Sequence, residues 1–363
     1  MTMIDYKLAV FIERLYNLNV VGVNAIANEL GLPYSVLQSR INQLIRLGFR
    51  LRGLIDSLEL KLIETYIITK NDPPMNIKEV KFARNISALI PEGGFLIFYV
   101  PVDEDLNKFI NNVIENYNLD VVRIIIVSLK ELKKTSLIRY RWDLDSITDA
   151  SRIHEWTKII DDYENIVNRF DNEKYNNNYF KRSFNERLKR VMKYKRLPLD
   201  SVCLKVLKEI ERDPLRRIRD IAEITEVPFK KALKCVRIIM DSRIYKGIRM
   251  RTTPWGRFTD LYAISIVKAP SPVDALALLE SVTRFPLSAG ASISIDKEVI
   301  MVFRINSKIY DVFRLFLKHF ERDTGFDVKW FGASPISMVK RFTIPYKQGF
   351  EYSKYKKGWL SEF

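Results

Sequence analysis

Histidine and cysteine are scarce: the chain of 363 residues holds two of each. With only His154 and His319 present, most histidine-based catalysis and metal binding lack their parts. Cys203 and Cys235 form no Cys-x-x-Cys pair and have no histidine cluster nearby. Neither a zinc site nor a disulfide framework is therefore expected; both fall in predicted helices, where a free cysteine serves as a small core residue. No apolar run approaches the ~20 residues of a membrane span, and no signal peptide is read at the start. A Walker phosphate loop, a Rossmann glycine fingerprint and a Gly-x-Ser-x-Gly elbow are all missing. The acidic groups Asp103-Glu104-Asp105 and Asp161-Asp162 sit at or within predicted helices, where such residues complement a first turn or face solvent rather than hold Mg²⁺. The expectation is a soluble, cytoplasmic (nucleoid-associated) protein that is not an enzyme, with no catalytic residues, cofactor or metal.

What is present is positive charge. Sixty Lys and Arg against 44 Asp and Glu leave a net charge of +16. That balance favours a polyanionic partner, since basic side chains at phosphates release condensed counterions. A Lys- and Ile-rich proteome would produce the same balance, so the motifs must carry the argument.

Two stretches share one plan: a helix, a tight turn, a second helix, and then a basic strand pair. In the first, Leu8, Phe11, Ile12 and Leu15 mark a helix along Ile4–Leu18 and Ile26, Ala27 and Leu30 the buried face of Val23–Leu30. Gly31 suits the left-handed position after that helix, and Pro33 the first turn of the next. The third helix turns Val36, Leu37, Ile41, Leu44 and Ile45 inward and ends at Gly48. Its outward side chains are Tyr34, Ser35, Gln38, Ser39 and Asn42, hydrogen-bonding groups on the part that enters the major groove in this motif; an ordinary solvated face is the alternative. Arg50 and Arg52 alternate with Leu51 in the following wing, which would aim both arginines at phosphates.

The second stretch repeats the pattern. Leu204, Leu207 and Ile210 mark one helix, Ile218, Ile221, Ala222 and Ile224 the next, and Pro228 opens a third with Ala232, Leu233, Val236, Ile239 and Met240 inside. Its outward face is Lys230, Lys231, Lys234 and Arg237, and its wing carries Lys246, Arg249, Arg251 and Arg257. Lysines act as mobile point charges that favour phosphates over base edges. The first unit is thus expected to read bases and the second to anchor the backbone.

After each unit the pattern is β-α-β-β-α-β, a ferredoxin-like split unit. In the first half the elements are Ile63–Thr69, a short helix Ile77–Arg84, Ile86–Ile90, Phe95–Val100, Leu106–Tyr117 and Val121–Val127. In the second they are Leu261–Val267, Val273–Val282, Ala291–Ile295, Val299–Ile305, Ile309–Phe320 and Phe326–Phe331. A helix-turn-helix followed by such a domain resembles the Lrp/AsnC family of archaeal and bacterial regulators, most specifically in SVLQSRINQLIRLGF with its Arg40-Ile41 and Gly48. The resemblance covers nearly the whole chain twice, where a usual member has one copy. It implies DNA binding, homo-oligomerisation through the ferredoxin-like domains and an amino-acid effector. The family's Gly-x-Tyr-Asp-like effector element is missing here, which leaves the small-molecule effector open. One enzyme branch of the fold decarboxylates haem precursors, but its histidine-dependent chemistry fits poorly with two histidines.

Between the halves, Asp149–Phe170 reads as a helix that packs on the first α/β domain or acts as a spacer. The polar 172–179 reads as a hinge. Residues 181–196 carry eight basic side chains against Glu186, a phosphate-tracking connector or a solvated face. Basic and aromatic residues mix over Lys340–Lys357, either to dock on the chain itself or to stack on unpaired bases; a similar stretch, Ser136–Trp142, favours docking.

The fold class expected is α+β: two winged helix-turn-helix domains, each followed by a ferredoxin-like domain, in a pseudo-dimeric single chain. The divisions are 1–60 and 199–258 for the heads, 61–148 and 259–339 for the ferredoxin-like domains, 149–198 for the linker and 340–363 for the tail. The function expected is a double-stranded DNA-binding transcriptional regulator; the alternative is a winged-helix protein-interaction module of a transcription or replication assembly.

Overall fold

The computed structural model describes residues 5–16, 18–74, 76–77, 80, 82–130, 153–170, 174–193, 197, 199–252, 261–285, 288–333, 338–341 and 344–346. The first head consists of α1 (Tyr6–Tyr16), α2 (Val23–Leu30) and α3 (Tyr34–Arg46). Its core is built from the residues that helical spacing selects, including Leu8, Ile12, Ile26 and Leu37. Gly31 caps α2 at φ 63°, and its N–H bonds to the carbonyls of Ala27 and Asn28. The buried stripe of α3 is narrower than expected: Leu37, Ile41 and Leu44 are buried, but Val36 and Ile45 are exposed. Its packing partners, α2 and the strand that follows, cover one flank only.

The second head is α7 (Ser201–Arg212), α8 (Ile218–Thr225) and α9 (Phe229–Asp241). Asp200 caps α7 by accepting from the Cys203 N–H, which satisfies one of the helix's orphan donors. Ala232, Val236 and Ile239 are buried as expected, while Ile224 is exposed. The cysteines depart from the sequence reading. Cys203 and Cys235 are joined in a disulfide across 4.9 Å of Cα separation. Each sits on the inner face of its helix, α7 or α9, and the packing of those helices brings the two together. Spacing along the chain does not reveal that meeting.

The wings differ too. Instead of a strand pair after each head, β1 (Phe49–Ile55) and β6 (Tyr245–Thr252) pair with one another, antiparallel, with Phe49 opposite Thr252 and Gly53 opposite Ile248. Each head supplies one strand, and the cross-pairing satisfies backbone groups that a lone strand would leave open. Gly53 is required by closeness rather than by φ: a Cβ there would lie 2.6 Å from the Ile210 carbonyl oxygen. The Gly22 N–H also donates to the Pro214 carbonyl at 2.8 Å. The two heads are therefore joined directly.

The strands β2 (Leu62–Thr69), β3 (Ala83–Ala88), β4 (Gly94–Pro101), β5 (Val121–Lys130), β7 (Leu261–Lys268), β8 (Ser288–Ser294), β9 (Glu298–Ile305), β10 (Asp327–Ala333) and β11 (Met338–Arg341) form one sheet. Its order is β10-β7-β9-β8-β5-β2-β4-β3-β11. Four strands of each half follow the same internal order, and the halves meet where β5 pairs with β8. Ile90 also bridges to Gly332, so the opposite ends of the sheet approach each other. Tyr66, Ile68, Ile125, Tyr262 and Ile264 form a core shared by the two halves. Helices α4 (Leu106–Tyr117), α10 (Pro272–Arg284) and α11 (Tyr310–Thr324) match the expected α/β pattern. The helix expected over 77–84 does not: Arg84 belongs to β3, and its side chain pairs with Glu64.

The linker helix α5 (Ile153–Val167) packs on the second half, not the first. Trp156 is buried there, with ring centroids 4.5 Å from Phe285 and 5.3 Å from Phe316. Periodicity shows that α5 has an apolar face but not which surface it covers. Helix α6 (Tyr179–Met192) lies against β5 and the turn Leu58–Leu60. Two large cores result, and neither follows chain order. One joins the first head to the second half of the sheet, the other the second head to the first half. The tail docks as its composition favours: β11 pairs with β3, and Tyr346 is buried with its hydroxyl donating to Glu211 at 2.5 Å. Ser136–Trp142 and residues 347–363 lie outside the described residues. No helix among the described residues is long and apolar enough to cross a membrane.

Candidate functional site

Two exposed faces of the heads and one charged centre gather the candidate polar side chains. On α3, Tyr34, Ser35, Ser39 and Asn42 are exposed and Gln38 is half-buried. All five line one shallow hollow with Gln43 and Arg46, which the sequence reading left out although they continue the same helical face. Gln38 Nε2 donates to Asn42 Oδ1 at 3.3 Å, one turn on. The hollow thus offers donors and acceptors with little fixed charge. On α9, Lys230, Lys231, Lys234 and Arg237 are all exposed. Lys231 lies 3.7 Å from Asp200, an exposed pair that contributes little.

The wing residues are placed differently from the expectation. Arg50 is exposed, but Arg52 donates to the Arg212 carbonyl at 3.0 Å across the junction of the heads. Lys246 is half-buried and lies 3.8 Å from Asp56. Arg249 stands opposite Arg52 in the ribbon and is turned inward; its Nε is buried without a hydrogen-bond partner among the described residues. Arg251 is a ribbon position opposite Arg50, and Arg257 lies outside the described residues. The cause is the cross-pairing of β1 with β6. Along the paired ribbon, Arg50 stays exposed while Arg52 and Lys246 are engaged within the chain.

The interior centre was not legible in the sequence. Glu64 on β2 is buried, takes Lys130 Nζ at 2.7 and 2.8 Å, pairs with Arg84 and accepts from the Tyr66 hydroxyl at 3.1 Å. Burial pushes the Glu64 carboxyl up, but Lys130 and Arg84 outweigh it and hold its pKa below the usual value. Burial, with the neighbouring Arg84, lowers Lys130 to about 8. The same causes bring Arg249 down to about 10. Arg84 stacks 5.1 Å from the Tyr99 ring centre, and Arg304 5.6 Å from that of Tyr262. Four cations, Arg84, Lys130, Arg249 and Arg304, thus lie close enough to act on one another's charge. The signal available in sequence was a lone Glu inside an otherwise apolar strand, LIETYIIT, which carries a cost unless a partner is present.

Among the described residues, one grouping has metal-ligand spacing: Asp200, Cys203 and Cys235. Both sulfurs are committed to the disulfide and Asp200 to its capping bond.

No protein-family model matches the chain, and no curated protein matches it. Solved structures do. The crystal structure of the siroheme decarboxylase NirDL aligns over 96% of this chain and 96% of its own, with a TM-score of 0.52 and 11% identity. The complex of NirDL with an iron-uroporphyrin III analogue aligns over 97% of each chain with a TM-score of 0.51, also at 11% identity. At that identity the likeness is one of fold, and the fold is Lrp/AsnC-like. The expectation that the chain is not an enzyme is overturned here, because the architecture matched end to end is that of an enzyme.

Proposed function

We propose that the chain is a double-stranded DNA-binding regulator built as a tandem of two Lrp/AsnC-like units, with one head suited to reading bases and the other to holding phosphates. The observation that carries this reading is the contrast between the exposed faces of α3 and α9, hydrogen-bonding on one and cationic on the other. Gln and Asn side chains on a recognition helix pair with adenine edges, whereas lysines meet phosphates without regard to sequence. The ribbon of β1 and β6 and the Gly22–Pro214 bond hold the heads in a fixed relation, as binding to two half-sites requires. Because the faces differ, the preferred site is asymmetric, its halves about one helical turn (~34 Å) or a multiple apart. Selection of preferred duplexes from a random pool by the full chain tests this; a perfect palindrome occupied by a single chain would count against it.

A second reading is favoured by the full-length likeness to NirDL together with the cluster of half-buried Arg84, Lys130 and Arg249 and buried Arg304. In that reading the chain binds or converts a polycarboxylate tetrapyrrole, its carboxylates meeting those cations. Titration of the chain with iron-uroporphyrin III, followed by absorbance, separates the readings: a saturable shift of the porphyrin band supports the second, and an unchanged spectrum removes it.

A further inference from the structure

Where α6 crosses the end of the wing ribbon, it roofs a pocket of about 320 Å³. The floor is formed by β2 and β5, one wall by residues 55–59, and the rim by the turn into β6. The roof belongs to the segment between the two halves, so this pocket does not arise from the strand order that the halves share.

Its charges are unbalanced. Five cations line it, Lys130, Arg187, Arg190, Arg243 and Lys246, against the three carboxylates Asp56, Glu59 and Glu64. Every carboxylate is already shared. Asp56 takes Arg187 at 2.7 Å and Lys246 at 3.8 Å. Glu59 takes Arg190 and, at 3.8 Å, Arg187, while Glu64 is held between Lys130 and Arg84. Arg243, exposed on the rim, has no acidic partner among the described residues. Arg187 and Arg190 lie one helical turn apart and are partly exposed, with 24% and 38% of their side-chain surface open. Two guanidinium forks at that spacing suit the bidentate recognition of a carboxylate or phosphate. Beside them the lining is apolar, with Leu62, Ile63, Val127 and Phe184. A few oriented charges on an apolar wall is the usual make-up of a small-molecule site, and this volume is at the small end of such sites.

We propose that this pocket binds a small organic anion, a carboxylate or phosphate ester with an apolar group. Its anionic end lies on Arg187, Arg190 and Arg243, and its apolar part lies against Phe184 and Val127. The pocket is too small for a tetrapyrrole macrocycle; it shares Lys130 with the cation cluster of the second reading, but the cations that take its anion, Arg187, Arg190 and Arg243, have no part in that reading. It also does not depend on DNA binding.

The test is calorimetric titration of the full chain, without DNA, using phenyl phosphate, benzoate and inorganic phosphate as probes. Saturable binding of phenyl phosphate or benzoate is expected, at least about tenfold tighter than inorganic phosphate because of the buried ring. The two organic probes distinguish a phosphate site from a carboxylate site. Arg243→Gln removes a cation that holds no acid among the described residues, so it should leave the fold intact and weaken the better probe about tenfold. The double variant Arg187→Gln/Arg190→Gln should abolish binding, with circular dichroism confirming that it remains folded. No saturable binding up to about 10 mM, or affinity unchanged in Arg243→Gln, would overturn the proposal.

Discussion

The two heads have the same interior and opposite exteriors. Each buries its three helices through apolar residues at helical spacing, and each ends its middle helix in a left-handed residue, Gly31 in one and Glu226 in the other. Outside, α3 offers Tyr34, Ser35 and Asn42 where α9 offers Lys230, Lys234 and Arg237. The second head alone is cross-linked, through Cys203 and Cys235. A shared core with divergent faces means that packing constrains the heads alike while their surfaces differ in charge and hydrogen-bonding chemistry. A symmetric dimer of identical chains has no way to achieve this.

The comparison can be broken first through the cores. Trp156 packs on Phe285, Phe303, Phe313 and Phe316 in the core that the second half of the sheet shares with the first head, so Trp156→Ala should cost about 3–5 kcal/mol, read by denaturant unfolding, and should loosen the first head more than the second. If both heads lost hydrogen-exchange protection equally, the crossed assignment of cores would be wrong. Removing the disulfide by Cys203→Ala/Cys235→Ala should cost about 3–4 kcal/mol on the chain-entropy account, confined to the second head. Intact-mass measurement after alkylation without reductant checks its premise, since two modified thiols would show that no bond forms.

The surfaces give smaller effects. Gln38→Ala or Asn42→Ala should leave non-specific affinity alone and relax base preference by about 1–3 kcal/mol at one position of the selected site. A uniform loss across sequences would assign α3 to phosphates instead. The remaining effect is alkaline. Burial raises the pKa of Tyr99, Tyr245 and Tyr346, all in the core that joins the second head to the first half of the sheet. A raised pKa adds stability that is complete below the unfolded value near 10 and is lost as pH rises beyond it. Each group should therefore remove about 1.4 kcal/mol per pH unit above 10, and the second head should open before the first when exchange is followed from pH 9 to 11.

Much of this was legible in the sequence, for a definite reason. Apolar spacing reports which face of an element is buried, so α2 and α4 emerged with accurate limits, while β3 and β8 begin three residues earlier than apolar spacing places them. It does not report what covers that face. Hence α5 was assigned to the wrong half or to none, the wings were expected as separate strand pairs, and the cysteines as free. Arg52 and Arg249 read as wing cations because alternation alone cannot show that a second strand lies beside them. Arg84 was hidden inside an expected helix, although the buried Glu64 needed such a partner. Exposed helix faces are the opposite case. The exposed α9 positions, and all but the half-buried Gln38 of those expected outward on α3, lie where helical periodicity puts them, although Val36 and Ile45, expected inward, are exposed as well.

The central claim is that the heads divide the work of binding, and the salt dependence of DNA affinity tests it most directly. With Lys230, Lys234 and Arg237 changed to Gln, the slope of log affinity against log salt should flatten by about 3, similarly on every sequence, while Gln38→Ala leaves the slope unchanged. A wild-type affinity that barely responds to salt, or an equal change of slope from both faces, would contradict the account.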